Sequence, residues 1–185
     1  MPQRAVLLMD LQVDFLDEST GRMPVGALAA ERVLERANAV LRGEAVVGSL
    51  VVAIANAFPR SQFLGNFFRN QAAVEGSSGA SLDPRLQASE HVPVFRKSAS
   101  SAFSIPQLHP FLQAQDVRTL VLIGVFAEGC VRATAVQARR LGYEVVAPLD
   151  SIATNGRLKL AFALSSMRRN GVALPQRLAE VGKAA

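Results

Sequence analysis

The sequence predicts an α/β protein, built as a three-layer doubly wound sheet of about six mainly parallel strands with helices on both faces. Short apolar runs rich in β-branched residues recur along the chain, as in strands that a parallel sheet buries on both faces. Between them lie segments with apolar residues three and four positions apart, which is the spacing of amphipathic helices. No linker or internal repeat divides the 185 residues, so we expect one domain over residues 1–185.

In chain order, the first predicted strand is Ala5–Met9, a continuous apolar run that stops at Asp10. The first predicted helix, Ala27–Leu41, carries one apolar stripe along its length. The later elements repeat these two patterns: strands Leu50–Ala55, Val92–Phe95, Leu120–Val125 and Glu144–Ala147, a weak sixth strand at Val172–Leu174, and helices Val131–Leu141 and Leu158–Met167. Strands that alternate with helices imply right-handed parallel crossovers.

The segment from Phe58 to Ser81 has no clear period. It contains four phenylalanines followed by the flexible stretch Glu75–Gly79. We expect this segment to be irregular, and its position allows it to cover a pocket, although the sequence does not show how it folds.

Composition excludes several classes of protein. With 50% hydrophobic and 19% charged residues, the chain is not intrinsically disordered. No apolar run reaches the roughly 18 residues of a membrane helix, and the acidic N-terminal segment lacks the pattern of a signal peptide, so we predict a cytoplasmic protein. A single cysteine excludes an internal disulfide, and no motif of the CxxC or HExxH type is present for a structural zinc site.

The net charge of +5 raises nucleic-acid binding as a question, because residues 131–185 alone carry an excess of +6. These cations are spread over predicted helical faces, with only Tyr143 and Phe162 among them. No nucleic-acid motif accompanies them, so we favour a solvated or subunit-facing surface over a nucleic-acid partner.

Ligands of such sheets bind beyond the carboxyl ends of the strands. Asp10, Asn56, Lys97 and the segment Phe126–Cys130 all lie at that edge of the predicted sheet. Cys130 opens a predicted helix, where unpaired N–H groups and the helix dipole favour a thiolate and an oxyanion hole. A buried, inert cysteine is the alternative.

Asp10 and Lys97 are each ordinary residues at a strand end, a turn-capping acid and a surface lysine. Together with Cys130 they supply a base, an electrostatic stabiliser and a nucleophile. His91 precedes a strand and His109 precedes a proline, so we expect both on the surface rather than in a Cys-His dyad. Asp150 is interpreted as a structural turn residue.

Three blocks in fixed order carry a resemblance to a known family: Ala5–Phe15, Arg96–Phe103 and Gly124–Val131. From about residue 4 to residue 174 the sequence resembles the isochorismatase-like cysteine hydrolases. The resemblance implies the matching doubly wound fold and self-association as a homodimer or homotetramer.

The resemblance also implies the roles of the site residues. Cys130 is then the nucleophile, Asp10 its general base and Lys97 the cation of an Asp-Lys-Cys triad. A cis peptide at Val125–Phe126 aims the backbone N–H groups of Phe126 and Cys130 into an oxyanion hole.

Departures from the family pattern bear on the substrate. Nicotinamidases of this family carry a metal-binding Asp and His after the second strand, where this chain has Asn56 and Phe58. We therefore expect no metal and no other cofactor, and the pattern argues against a nicotinamidase or pyrazinamidase. The expected substrate is a small amide or ureide with an apolar portion. The residues predicted to contact it are Phe15, Asn56, Phe58, Phe103 and Phe126.

Two other interpretations stay open at this point. A vinyl ether hydrolase of the isochorismatase type would use Asp10 as an acid and would not need Cys130. A noncatalytic binding protein on the same fold would show ordinary thiol reactivity and no turnover.

Overall fold

A computed structural model describes residues 3–181, and its centre is a parallel sheet. Within these residues the strands are β1 (Arg4–Met9), β2 (Leu50–Asn56), β3 (Val94–Lys97), β4 (Thr119–Val125), β5 (Glu144–Val146) and β6 (Ile152–Ala153). Their order is β3-β2-β1-β4-β5, with β6 paired to the end of β4, and every pairing is parallel. β1 is central, so its carboxyl end lies in the middle of the sheet edge.

Helices cover both faces of this sheet. They are α1 (Val13–Leu16), α2 (Ala27–Leu41), α3 (Phe63–Phe68), α4 (Leu108–Ala114), α5 (Arg132–Arg140) and α6 (Arg157–Arg169). Alternate residues of β1 point to opposite faces: Leu7 and Met9 pack with α4, α5 and α6, whereas Val6 and Leu8 pack with α2. The predicted three-layer α/β architecture is therefore confirmed.

Five predicted strands correspond to β1–β5, with shifted ends, but the sixth prediction is wrong. Val172–Leu174 forms a single bridge, between Ala173 and Val146, because it lies beyond β5 at the rim of the sheet. The observed sixth strand, Ile152–Ala153, has two residues, too few for a periodic pattern. The unpatterned segment 58–81 contains one short helix, α3.

Gly124 allows β1 and β4 to approach closely at the end where ligands bind. Its φ is +144°, and a Cβ atom there would collide with the carbonyl oxygen of Met9. The glycine thus brings the turn after β4 next to the residue that follows β1. Within residues 3–181, no helix combines the length and the apolar character needed to cross a bilayer.

Candidate active site

Three polar side chains meet where adjacent strands end. Asn56 and Lys97 are register partners at the ends of β2 and β3. Asp10 follows β1 and donates its backbone N–H to Ile54 O at 2.8 Å. Its φ of +55° lies in the left-handed region, which aspartate tolerates better than most residues. The sheet therefore assembles these groups from segments far apart in sequence.

The Lys97 ammonium is the hub of this cluster, and its side chain is fully buried. Nζ lies 3.0 Å from Asp10 Oδ2, 2.6 Å from Asn56 Oδ1 and 3.2 Å from Cys130 Sγ. An ammonium has three donors and no acceptor. Each donor therefore has one partner, which fixes the position of all three neighbouring groups.

These contacts also orient the Asn56 amide. Because Lys97 can only donate, Asn56 turns its Oδ1 toward Nζ, and its Nδ2 then faces Cys130 Sγ at 3.8 Å. Gln12, which is fully buried, accepts from Asn56 N at 2.7 Å and donates to Asn56 O at 2.8 Å. Sequence reasoning missed Gln12, because a neutral side chain after a strand gives no signal for this clamp.

Cys130 lies in a π turn, Ala127–Val131, that leads into α5. Burial, together with the negative charge of Asp10, raises the pKa of its thiol to about 12 and outweighs the opposing effect of Lys97. The expectation that a helix N-terminus would favour a thiolate here is therefore wrong for the free protein. Desolvation beside a carboxylate is the larger effect.

The pKa shifts of the other two groups follow from the same burial. Burial raises the pKa of Asp10 above its ordinary value, against the opposing effects of Lys97, Cys130 and Asn56. Burial alone would lower the pKa of Lys97, but attraction to Asp10 and Cys130 outweighs it and the pKa is raised. Lys97 is thus an ammonium at neutral pH.

The two carboxylate oxygens of Asp10 have different environments. Oδ2 accepts from Lys97, whereas Oδ1 is buried with no hydrogen-bond partner among the described residues. A buried acceptor without a partner is costly. Oδ1 is therefore the carboxylate oxygen that stays available for a further hydrogen bond.

The cluster opens into a cavity of about 280 Å³. The predicted contact residues Phe15, Asn56, Phe58 and Phe126 line it with Cys130, and the Phe15 and Phe126 rings meet edge to face at 5.6 Å. Glu128, within the predicted segment Phe126–Cys130, also lines the cavity, together with Met23, Arg69, Asn155 and Lys159, which the sequence did not single out. These four residues come from three separate parts of the chain.

The prediction for Phe103 is wrong. A short 3-10 turn, Ala102–Ser104, directs its ring against the sheet, where it stacks on Tyr143 at 5.7 Å. His109 also faces Tyr143, with its Nδ1 2.8 Å from the phenol oxygen, and His91 is exposed. Neither histidine contacts the cysteine. Asp150 is structural, since it pairs with Arg36 Nε at 2.9 Å.

The backbone beside Cys130 has the cis peptide that the family resemblance implies, at Val125–Phe126. The Phe126 carbonyl then accepts from Gly129 N at 3.0 Å and Val131 N at 3.3 Å. These two bonds close the turn that carries Cys130 around the end of β4. The role of the Phe126 and Cys130 N–H groups as an oxyanion hole stays a prediction.

With this geometry established, comparison with known proteins identifies the family. The isochorismatase domain model matches residues 4–182. The chain belongs to the isochorismatase family. Streptothricin hydrolase of Streptomyces noursei is 32% identical over 160 residues, covering 82% of this chain and 50% of that protein. Nicotinamidase of Escherichia coli (strain K12) is 29% identical over 175 residues, covering 78% of this chain and 80% of that protein. This family member thus spans half the length of the first relative.

A solved structure shares the fold of this family member over nearly its whole length. The pyrazinamidase of Pyrococcus horikoshii, solved in complex with zinc, has a TM-score of 0.82 and 25% identity, covering 95% of this chain and 100% of that chain. The doubly wound sheet is therefore that of the isochorismatase-like hydrolases.

The residues of this family member do not fit a metal at the nicotinamidase position. Asn56 Oδ1 already accepts from the Lys97 ammonium at 2.6 Å. Phe58 has no ligating atom, and the guanidinium carbon of Arg69 lies 3.7 Å above its ring centroid. Two cations at these positions repel a metal ion. Among residues 3–181 no three His, Cys, Asp or Glu side chains cluster as ligands.

Proposed function

We propose that this family member is a metal-independent cysteine hydrolase that cleaves the C–N bond of a small amide or ureide through a thioester. Asp10, Lys97 and Cys130 form its triad. The observation that carries the proposal is the buried Lys97 ammonium, which contacts both Asp10 Oδ2 and Cys130 Sγ at 3.0 and 3.2 Å. The relatives named above, a streptothricin hydrolase and a nicotinamidase, are consistent with this reaction class.

The acylation half of the reaction starts from a neutral thiol. Asp10 Oδ1 takes the thiol proton while Cys130 Sγ attacks the carbonyl carbon. The negative charge that develops on the carbonyl oxygen is held by the backbone N–H groups of Phe126 and Cys130. Collapse breaks the C–N bond, and Asp10 passes the proton to the leaving amine.

Deacylation uses the same carboxylate. A water molecule gives one proton to Asp10 and adds its oxygen to the thioester carbonyl. The second tetrahedral species breaks its C–S bond, Asp10 returns the proton to sulfur, and the carboxylic acid leaves. Lys97 stays positively charged beside Asp10 and the cysteine sulfur throughout, because its pKa is raised.

The proposal is tested by ammonia release from a panel of small amides and ureides. Cys130→Ala and Asp10→Asn are expected to reduce kcat by a factor of about 10³ or more. Asp116→Asn is the matched control, since it makes the same chemical change on an exposed turn. Hydroxylamine should divert the product from acid to hydroxamate if a thioester forms.

Two results would contradict the proposal. If Cys130→Ala hydrolysed amides at the wild-type rate, Cys130 would not be the nucleophile. Cleavage of isochorismate that survives Cys130→Ala but not Asp10→Asn would instead identify a vinyl ether hydrolase.

A further inference from the structure

The cavity contains a cation with no counter-ion. Three lining side chains at its wall and rim are charged: Arg69, Lys159 and Glu128. Lys159 Nζ lies 3.7 Å from Glu128 Oε1, so these two charges offset each other. Within residues 3–181, no carboxylate comes within 4.0 Å of the Arg69 guanidinium. The wall above the triad therefore carries one uncompensated positive charge.

Neutral groups hold Arg69 in place. Its Nη2 donates to Asn66 Oδ1 at 2.7 Å and to Gln62 Oε1 at 3.2 Å. Asn66 is 2% exposed, and its Nδ2 donates to Pro59 O at 3.0 Å, which turns Oδ1 toward the arginine. The guanidinium stacks on Phe58, while its Nε is buried without a partner among the described residues. Arg69 is thus positioned before any ligand arrives.

A guanidinium in this setting favours an anion. Arg69 is partly buried, its guanidinium cannot lose its proton, and no carboxylate among the described residues neutralises it. Because Nη2 already donates to Asn66 and Gln62, Nη1 is the nitrogen that can donate a charge-assisted hydrogen bond to a carboxylate. The cavity also has an apolar middle, formed by Phe15, Phe58 and Phe126, and its volume of about 280 Å³ suits a small molecule.

We propose that Arg69 binds a carboxylate of the substrate, so that the preferred substrates are small amides or ureides that carry a carboxylate at the end opposite the scissile carbonyl. This inference rests on the proposed function for the reaction and adds the substrate class. Arg69 is a specificity-determining residue that touches the substrate and takes no part in proton transfer.

The first test compares matched substrates. Malonamate, succinamate and glutaramate are each paired with the neutral amide in which a methyl ketone replaces the carboxylate. For the best chain length, the wild-type kcat/KM is expected to be about 100-fold higher for the anion than for its neutral partner. Equal or better turnover of the neutral partners would overturn the inference.

Variants then assign the preference to Arg69. Arg69→Met should lower kcat/KM for the anion about 100-fold, mainly through KM, and change the neutral amide less than about threefold. Arg69→Lys should recover part of the loss, because it keeps the charge without the planar donors. Arg60→Met is the control, an exposed arginine on the same segment whose loss changes the net charge equally. An equal loss for both substrates in Arg69→Met would make the residue merely structural.

A second measurement does not depend on turnover. Malonate, succinate or glutarate should slow the alkylation of Cys130 by iodoacetamide in the wild type and not in Arg69→Met. If no amide is hydrolysed but this protection is seen, the proposed function fails and the anion site stands. If neutral amides are hydrolysed and no dicarboxylate protects, the proposed function stands and the anion site is overturned.

Discussion

The dependence of Cys130 reactivity on pH follows most directly from the burial of its thiol and from the charges of Asp10 and Lys97 beside it. With the pKa of the thiol raised to about 12, only about one molecule in 10⁴ is a thiolate at pH 8. An ordinary cysteine, with a pKa of about 8.5, is roughly one quarter ionised at that pH. Alkylation by iodoacetamide should therefore be about 2,000-fold slower in the native protein than in the unfolded chain.

The pH profile and one variant test the cause of this shift. The native rate should rise about tenfold per pH unit between pH 7 and 10 without a plateau, because only the thiolate reacts. In Asp10→Asn the Lys97 ammonium, 3.2 Å from Sγ, loses its competing anion. The pKa of the thiol should then fall and alkylation at pH 8 should accelerate, although amide hydrolysis is lost.

The assay is intact-protein mass spectrometry, and because Cys130 is the only cysteine, each adduct reports on this residue alone. Circular dichroism shows that the variant is folded, and Asp116→Asn controls for the loss of an acid elsewhere. A native plateau near pH 7, or slower alkylation in Asp10→Asn, would refute the account in which burial and Asp10 hold the thiol neutral.

Three further predictions concern stability, metal and assembly. Lys97→Met leaves the Asp10 carboxylate buried without its cation, so urea unfolding should show a loss of about 3–5 kcal/mol; Lys97→Met with Asp10→Leu should recover most of it. Removal of metals with EDTA should leave kcat/KM unchanged, since Asn56 is already occupied by Lys97; a loss that zinc restores would contradict this. Light scattering should give the mass of a dimer or tetramer. Phe67 and Phe68 are 73% and 82% exposed, so replacing both with serine should lower the measured mass if α3 contributes to the contact between subunits.

The sequence predicts that Asp10, Lys97 and Cys130 lie close together, and the structure places them in contact through Lys97. Asp10 and Lys97 are polar residues at the ends of predicted strands, and parallel topology brings such ends to one edge. Cys130 lies at the same edge of the sheet, because it follows a predicted strand after a short turn. The central strands are found because burial on both faces leaves a continuous apolar run, whereas Ile152–Ala153 is too short to form one.

The groups that the sequence does not reveal act through tertiary contacts. Gln12 clamps Asn56 through hydrogen bonds between residues 44 positions apart. Arg69 reaches the cavity from an irregular segment, where no period indicates which side chains point inward. The pKa of Cys130 depends on burial and on its distance from Asp10. A helix start inferred from sequence predicts neither the burial of the thiol nor that distance.

A neutral thiol protects this site from side reactions with electrophiles and oxidants. A permanent thiolate reacts with any electrophile or oxidant that reaches it, whereas a thiol with a pKa of about 12 does so rarely. Asp10 Oδ1 has no hydrogen-bond partner among the described residues, and in the proposed mechanism it takes the thiol proton as Sγ attacks a carbonyl already held against it. Activation then depends on substrate position. A carboxylate bound by Arg69 would supply that position, because it anchors the far end of the molecule while the scissile carbonyl meets the triad.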